Sequence, residues 1–222
     1  DHFAFWRTRL SRQLQRFDLV RIDHFRGLAG YWSVPAGART ARDGRWCPAP
    51  GRALFRMLER DFPALPLVAE DLGVITPDVE QLRTEFRMPG MRVLQFGFDG
   101  GADNPHLPHN FTRDVVAYTG THDNDTTRGW ARSLSAEPAQ RASFYLRADP
   151  DSLEESMQRA VLSSVAQLAI IPAQDLLRLG SEARLNTPGT VSGNWLWRLP
   201  PHALGRPLAQ QYGALNRIFG RS

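Results

Sequence analysis

Three acidic groups stand just after short apolar runs: Asp23 in Arg21-Ile22-Asp23, Glu70 in Ala69-Glu70-Asp71, and Asp123 in Thr121-His122-Asp123. The runs before them, Leu19-Val20, Leu67-Val68 and Val115-Val116-Ala117-Tyr118, read as buried parallel strands, so the carboxylates fall at strand ends, where parallel α/β barrels keep their chemistry. Two positioned carboxylates are what cleavage of a glycosidic bond with retention requires, one as nucleophile and one as proton donor. A third acid can hold the sugar ring near its cation-like transition state. Each acid alone also has a structural reading: Asp23 as an ion-pair partner of Arg21, Glu70 as a helix-start acid, His122 and Asp123 as turn groups. The same context met three times favours the chemical reading.

Side chains alternate along a strand, so Arg21 and Asp23 fall on one side and can reach the same sugar. A guanidinium there favours the ionised carboxylate that a nucleophile must be. Glu70 needs the opposite bias if it is to hand over a proton near neutral pH, and Asp71 and Asp23 are the negative neighbours available to supply it. Sugar rings also present apolar C–H faces to aromatic side chains, for which Trp32, Phe96, Phe98 and Trp130 are candidates. Of these, Phe96 falls at the end of an expected strand.

These residues need a frame of alternating elements. The sequence predicts strands over 18–22, 67–69, 92–96, 115–118 and 168–171, and helices over 52–61, 77–87 and 153–167, with a further helical stretch carrying Phe3, Trp6, Leu10 and Leu14. Thr76 is placed to cap the helix that opens at Pro77, with Asp78 and Glu80 in its first turn, and Ser152 with Glu155 matches a capping box. Val79, Leu82 and Phe86 form the apolar stripe of one helix; Met157, Val161, Val165 and Leu168 form that of another.

The formal charge of +4 comes wholly from arginine, because the 222 residues contain no lysine. The arginines are scattered among acids, which argues against nucleic acid as a partner. A single cysteine, Cys47, excludes an internal disulfide and a zinc cluster, and no cofactor or metal is expected. No stretch approaches the ~20 apolar residues of a membrane span, so no membrane partner is expected and the cytoplasm is the default location.

Six segments in order carry a closer likeness: Phe17 through Gly27 with Tyr31-Trp32-Ser33-Val34-Pro35, Leu67 through Thr76, Pro89 through Phe96, Tyr118 through Thr127, Gly180 through Asn186, and Ser192-Gly193-Asn194-Trp195. In these the chain resembles the amylomaltases, the 4-α-glucanotransferases also called disproportionating enzyme. The resemblance implies that Asp23 is the nucleophile, Glu70 the acid/base and Asp123 the transition-state stabiliser. It further implies that Arg21, His122, Phe96 and Asn186 bind substrate, which would be α-1,4-glucans and maltooligosaccharides.

For the fold, the resemblance implies one partial catalytic domain over 1–222, corresponding to about strands 4 to 8 of a TIM (β/α)8 barrel and lacking the N-terminal strands. A whole barrel takes ~250 residues or more. The expected activity is transfer of α-1,4-glucan segments by a retaining double displacement. Amylase-like hydrolysis and an inactive glucan-binding fragment are the alternatives, and the isolated chain is expected to be inactive.

Overall fold

The computed structural model describes residues 3–149 and 151–221. The protein is of the α/β class, and its chain divides into two compact units, Asp1–Met91 and Arg92–Ser222.

The first unit runs through α1 (Ala4–Leu14), β1 (Val20–Ile22), β2 (Gly30–Ser33), β3 (Arg45–Pro48), α2 (Gly51–Asp61), β4 (Leu67–Ala69) and α3 (Pro77–Glu85) into the start of β5 (Gly90–Val93). β1 and β4 pair in parallel, with Val20, Arg21 and Ile22 opposite Leu67, Val68 and Ala69. All three β4 residues are buried, as the unbroken apolar run requires. Leu54, Phe55 and Leu58 of α2 join Phe25, Val79, Leu82 and Phe86 in one core, where the Phe25 and Phe55 rings stack with centroids 5.6 Å apart. Gly51 opens α2 where a Cβ would lie 2.1 Å from the Leu28 carbonyl oxygen, a backbone atom that cannot move aside cheaply.

The β2–β3 pair is an antiparallel hairpin absent from the expected elements. Its strands carry Tyr31, Trp32 and Trp46 with large exposed areas, so the alternation of a half-buried strand is missing.

The second unit continues with β6 (Val115–Tyr118), α4 (Thr127–Ser133), α5 (Ala136–Leu146), α6 (Leu153–Ser163), β7 (Leu168–Ile170), α7 (Ala173–Leu176) and α8 (Arg206–Ile218). β5, β6 and β7 form a sheet in that order, with β6 and β7 parallel and Val116, Ala117 and Tyr118 opposite Leu168, Ala169 and Ile170. Leu94, Phe98, Val115, Ala117, Met157 and Val161 share its core.

Several local expectations are corrected. The strand expected over 92–96 ends at Val93, and Leu94–Phe98 coil into a 3₁₀ turn. The helix expected over 153–167 stops at Ser163, leaving Val165 and Leu168 exposed rather than on its stripe. Ser152 makes no capping bond, because its hydroxyl donates to the Asp149 carbonyl and Glu155 pairs with Arg178 at 2.6 Å. Thr76 supplies the extended cap backbone before Pro77 but no side-chain cap; its hydroxyl instead holds the Asp78 carboxyl below the usual carboxylate range.

Candidate active site

In the first unit, β1 delivers Arg21 and Asp23 to one side, as the strand period demands. Arg21 Nη2 lies 2.9 Å from Asp23 Oδ1, and Arg21 Nε donates to Met91 Sδ at 3.3 Å, which fixes the guanidinium from a second direction. The Asp23 side chain itself is largely open to solvent. Neighbouring His24 takes a left-handed backbone conformation (φ 47°), sparsely populated for a residue with a Cβ and costly by ~1–3 kcal/mol. That turn aims the His24 N–H at Glu70 Oε2, 2.6 Å away.

Glu70 follows β4, and its backbone continues the pairing with β1: its N–H donates to the Ile22 carbonyl, and its own carbonyl accepts from Phe25 N. Glu70 Oε1 accepts from Leu72 N at 3.0 Å. Both carboxyl oxygens are therefore engaged by main-chain donors, each keeping a second lone pair for a proton. Glu70 starts no helix, so its bland sequence reading falls away.

Asp71 sits next in the chain with partners of its own. Its side chain is buried, accepts from Met91 N at 2.6 Å and faces Arg83 Nε at 3.6 Å, so a cation and a backbone donor share its charge.

In the second unit, Asp123 stands in the turn after β6. Asn186 Nδ2 donates to Asp123 Oδ1 at 2.6 Å, and His122 Nε2 lies 3.5 Å from Asp123 Oδ2. Arg184 bridges the same segments, with Nη2 donating to the Asp123 carbonyl at 2.7 Å and Nε to the Asn186 carbonyl at 2.8 Å. The His122 ring tilts against Trp195, centroids 5.3 Å apart. The turn is braced internally as well: Asn124 Oδ1 accepts from Thr121 N and Oγ1, and Asp125 Oδ2 accepts from Ser181 Oγ at 2.6 Å. Gly129 is required beside that last bond, since a Cβ there would sit 2.3 Å from Ser181 Oγ and 2.6 Å from Asp125 Oδ2.

Phe96 is partly exposed, but it lies on the 3₁₀ turn rather than at a strand end. Its ring meets His106 edge to face at 5.5 Å. His106 Nδ1 accepts from Val93 N, and burial, helped by the charge of Arg92, pushes the imidazole pKa down from 6.5 to about 4. Phe98 and Trp130 pack on each other with ring centroids 5.8 Å apart, and Phe98 is wholly buried, which takes it out of reach of a sugar face.

Three contributors escaped the sequence reading. His24 and Arg184 sit inside the segments already singled out, but their roles depend on a left-handed φ and on a contact across 61 positions, neither of which leaves a local mark. Asp175 did leave one: an acid in the apolar stretch Leu168-Ala169-Ile170-Ile171-Pro172-Ala173-Gln174-Asp175-Leu176-Leu177 predicts burial, and a buried acid needs partners.

A family model described as 4-alpha-glucanotransferase matches residues 1–204. The chain belongs to the 4-alpha-glucanotransferase family. It is 50% identical over 230 aligned positions to a 4-alpha-glucanotransferase of Thermus thermophilus, covering 100% of this chain and 45% of that protein. It is 49% identical to one from Synechocystis, covering 99% of this chain and 44% of the relative. Among solved structures, an amylomaltase from Streptococcus agalactiae in complex with acarbose superposes with a TM-score of 0.93 at 36% identity, covering 100% of this chain and 45% of that one. The chain thus spans less than half the length of the family members it matches.

Proposed function

We propose that this chain carries the catalytic acids of a 4-α-glucanotransferase, acting by a retaining double displacement on α-1,4-glucans and maltooligosaccharides. Asp23 attacks the anomeric carbon while Glu70 protonates the departing glycosidic oxygen, leaving the glycosyl group on Asp23. Glu70, now a carboxylate, then takes the proton from the incoming 4-hydroxyl of a second glucan, and the glycosyl group leaves Asp23 for that oxygen with retained configuration. Arg21, 2.9 Å from Asp23 Oδ1 and held by Met91, orients Asp23. Asp123, braced by Asn186 and flanked by His122, hydrogen-bonds the ring hydroxyls of the distorted sugar, and Phe96 offers an apolar face to a ring C–H surface.

The observation that carries this reading is family membership over nearly the whole chain, joined to the hydrogen bond by which His24, adjacent to Asp23, holds Glu70. We also read the two units as parts of a (β/α)8 barrel, about strands 4 to 8, within one catalytic domain, and the cytoplasm as its compartment. Among the described residues no helix is long and apolar enough to cross a membrane.

The test uses the protein as its organism makes it. Incubation with a slow-leaving glucosyl donor, proteolysis and mass spectrometry should find the sugar on the peptide bearing Asp23, and maltotriose should be disproportionated to products of α configuration. A label on Glu70, β products, or free glucose with no longer glucans would overturn the assignment.

A further inference from the structure

The turn that presents His122 and Asp123 begins at Thr119 and ends at Thr127, and one side chain grips both ends. Asp175, on α7, accepts from Thr119 Oγ1 at 2.6 Å through Oδ2, from Thr127 Oγ1 at 2.7 Å through the same oxygen, and from Thr127 N at 2.7 Å through Oδ1. Thr119 and Thr127 are fully buried and Asp175 is 2% exposed. We propose that Asp175 is a positioning residue for glucan transfer, a buckle that closes the base of the 119–127 turn and so fixes the direction of Asp123.

The argument from cost points the same way. A buried carboxylate is expensive to desolvate. Its partners here are two hydroxyls and one amide. An asparagine or a threonine pair would close a turn without that penalty, so stability alone is a poor reason for an acid at this place. What the acid adds is number and direction: only a group with acceptor lone pairs on both oxygens and no donor takes all three bonds at once. Burial raises the pKa of the carboxyl, opposed by the two hydroxyls and the Thr127 amide.

The grip is braced from behind, since Gln158 Nε2 donates to the Asp175 carbonyl at 2.9 Å. From the other side, Gln95 Nε2 donates to the Asp125 carbonyl at 3.0 Å, so the turn is held at its base and at its far limb by side chains that touch no sugar in the proposed mechanism.

The inference rests on the reading of Asp123 as the transition-state stabiliser, and its test keeps the two apart. In the protein as its organism makes it, Asp175→Asn and Thr119→Val should each lower kcat by about 10²-fold, the cost of a small misplacement of a catalytic group, while KM stays within about threefold. Thr119→Ser, which restores the hydroxyl, should recover kcat to within about threefold of wild type. If Asp175→Asn fails to fold, the Thr119 pair carries the test alone. Unchanged kcat in folded Thr119→Val, or no recovery in Thr119→Ser, would overturn the positioning role. Asp123→Asn run in parallel separates the failures: if it loses turnover while Asp175→Asn and Thr119→Val keep theirs, only the buckle is wrong; if it too keeps wild-type kcat, the role of Asp123 falls and the buckle with it.

Discussion

Asn186 donates its side-chain amide to Asp123 Oδ1 across 2.6 Å, although 63 positions separate the two in the chain. The sequence assigns Asn186 to substrate; the structure engages its Nδ2 with the acid. Asn186→Ala is therefore expected to resemble a partial loss of Asp123. A fall in kcat of roughly 10- to 100-fold with KM moved far less would mark the role, since a lost transition-state contact lowers kcat and kcat/KM together. A rise in KM alone would return Asn186 to simple substrate binding.

Asp71 makes a contrasting prediction. Its carboxylate lies buried between the Met91 amide and Arg83, so Asp71→Asn leaves a buried guanidinium short of one counter-charge, partly compensated by Glu80 at 2.5 Å from Arg83 Nη2. Breaking a buried pair costs ~3–5 kcal/mol when nothing compensates, so about 2 kcal/mol is expected here, read by chemical denaturation. The alkaline limb of the activity profile should not move. A shifted limb at unchanged stability would restore Asp71 as the electrostatic neighbour of Glu70.

His106 sets a pH window for stability. Its folded pKa is depressed to about 4 from 6.5, so the neutral ring is favoured by folding. The stabilisation is fully present above about pH 6.5 and is lost as pH falls through 4, where protonation would turn the acceptor of the Val93 amide into a second donor. The whole effect is about 3 kcal/mol. Unfolding free energies of wild type and His106→Asn measured between pH 7 and pH 4 should converge as the pH drops; parallel curves would show that His106 is not the titrating group.

The 222-residue chain by itself is expected to be inactive and poorly folded. Among the described residues β7 pairs with β6 on one side only, and its Leu168 and Ile170 are about two-fifths exposed. An apolar, unpaired strand is a site for aggregation, and at about 25 cal/mol per Å² even a few hundred Å² of such surface costs several kcal/mol. Sharp cooperative unfolding together with maltotriose disproportionation by the isolated chain would contradict this.

Elements whose burial is one-sided or complete were legible in the sequence. The apolar runs at 67–69 and 115–118 became strands with those bounds, and Val79, Leu82 and Phe86 all reached the core. The hairpin was not, because Trp32 and Trp46 pack against each other edge to face at 5.5 Å while Arg26 covers Trp46, so its order comes from side chains on an exposed surface rather than from a buried stripe. At the candidate site, Arg21 and Asp23 met as a strand period of two dictates. What holds Glu70 and Asp123 in place was hidden, since a backbone N–H has no residue type to read and Asn186, Arg184 and Asp175 reach their partners across about fifty or more positions.

That remoteness has a consequence for synthesis. A ribosome adds ~5–20 residues per second, so roughly 3–13 s pass between the appearance of Asp123 and that of Asn186, 63 positions later. For most of that interval the nascent chain contains all three acids while neither Asp175 nor Asn186 has yet been added to shape the turn. Native orientation of Asp123 is thus a late event in the life of each molecule. A peptide ending anywhere between residues 127 and 175 would carry every proposed reactive carboxylate but would lack the bonds from Arg184 and Asn186 that aim the third.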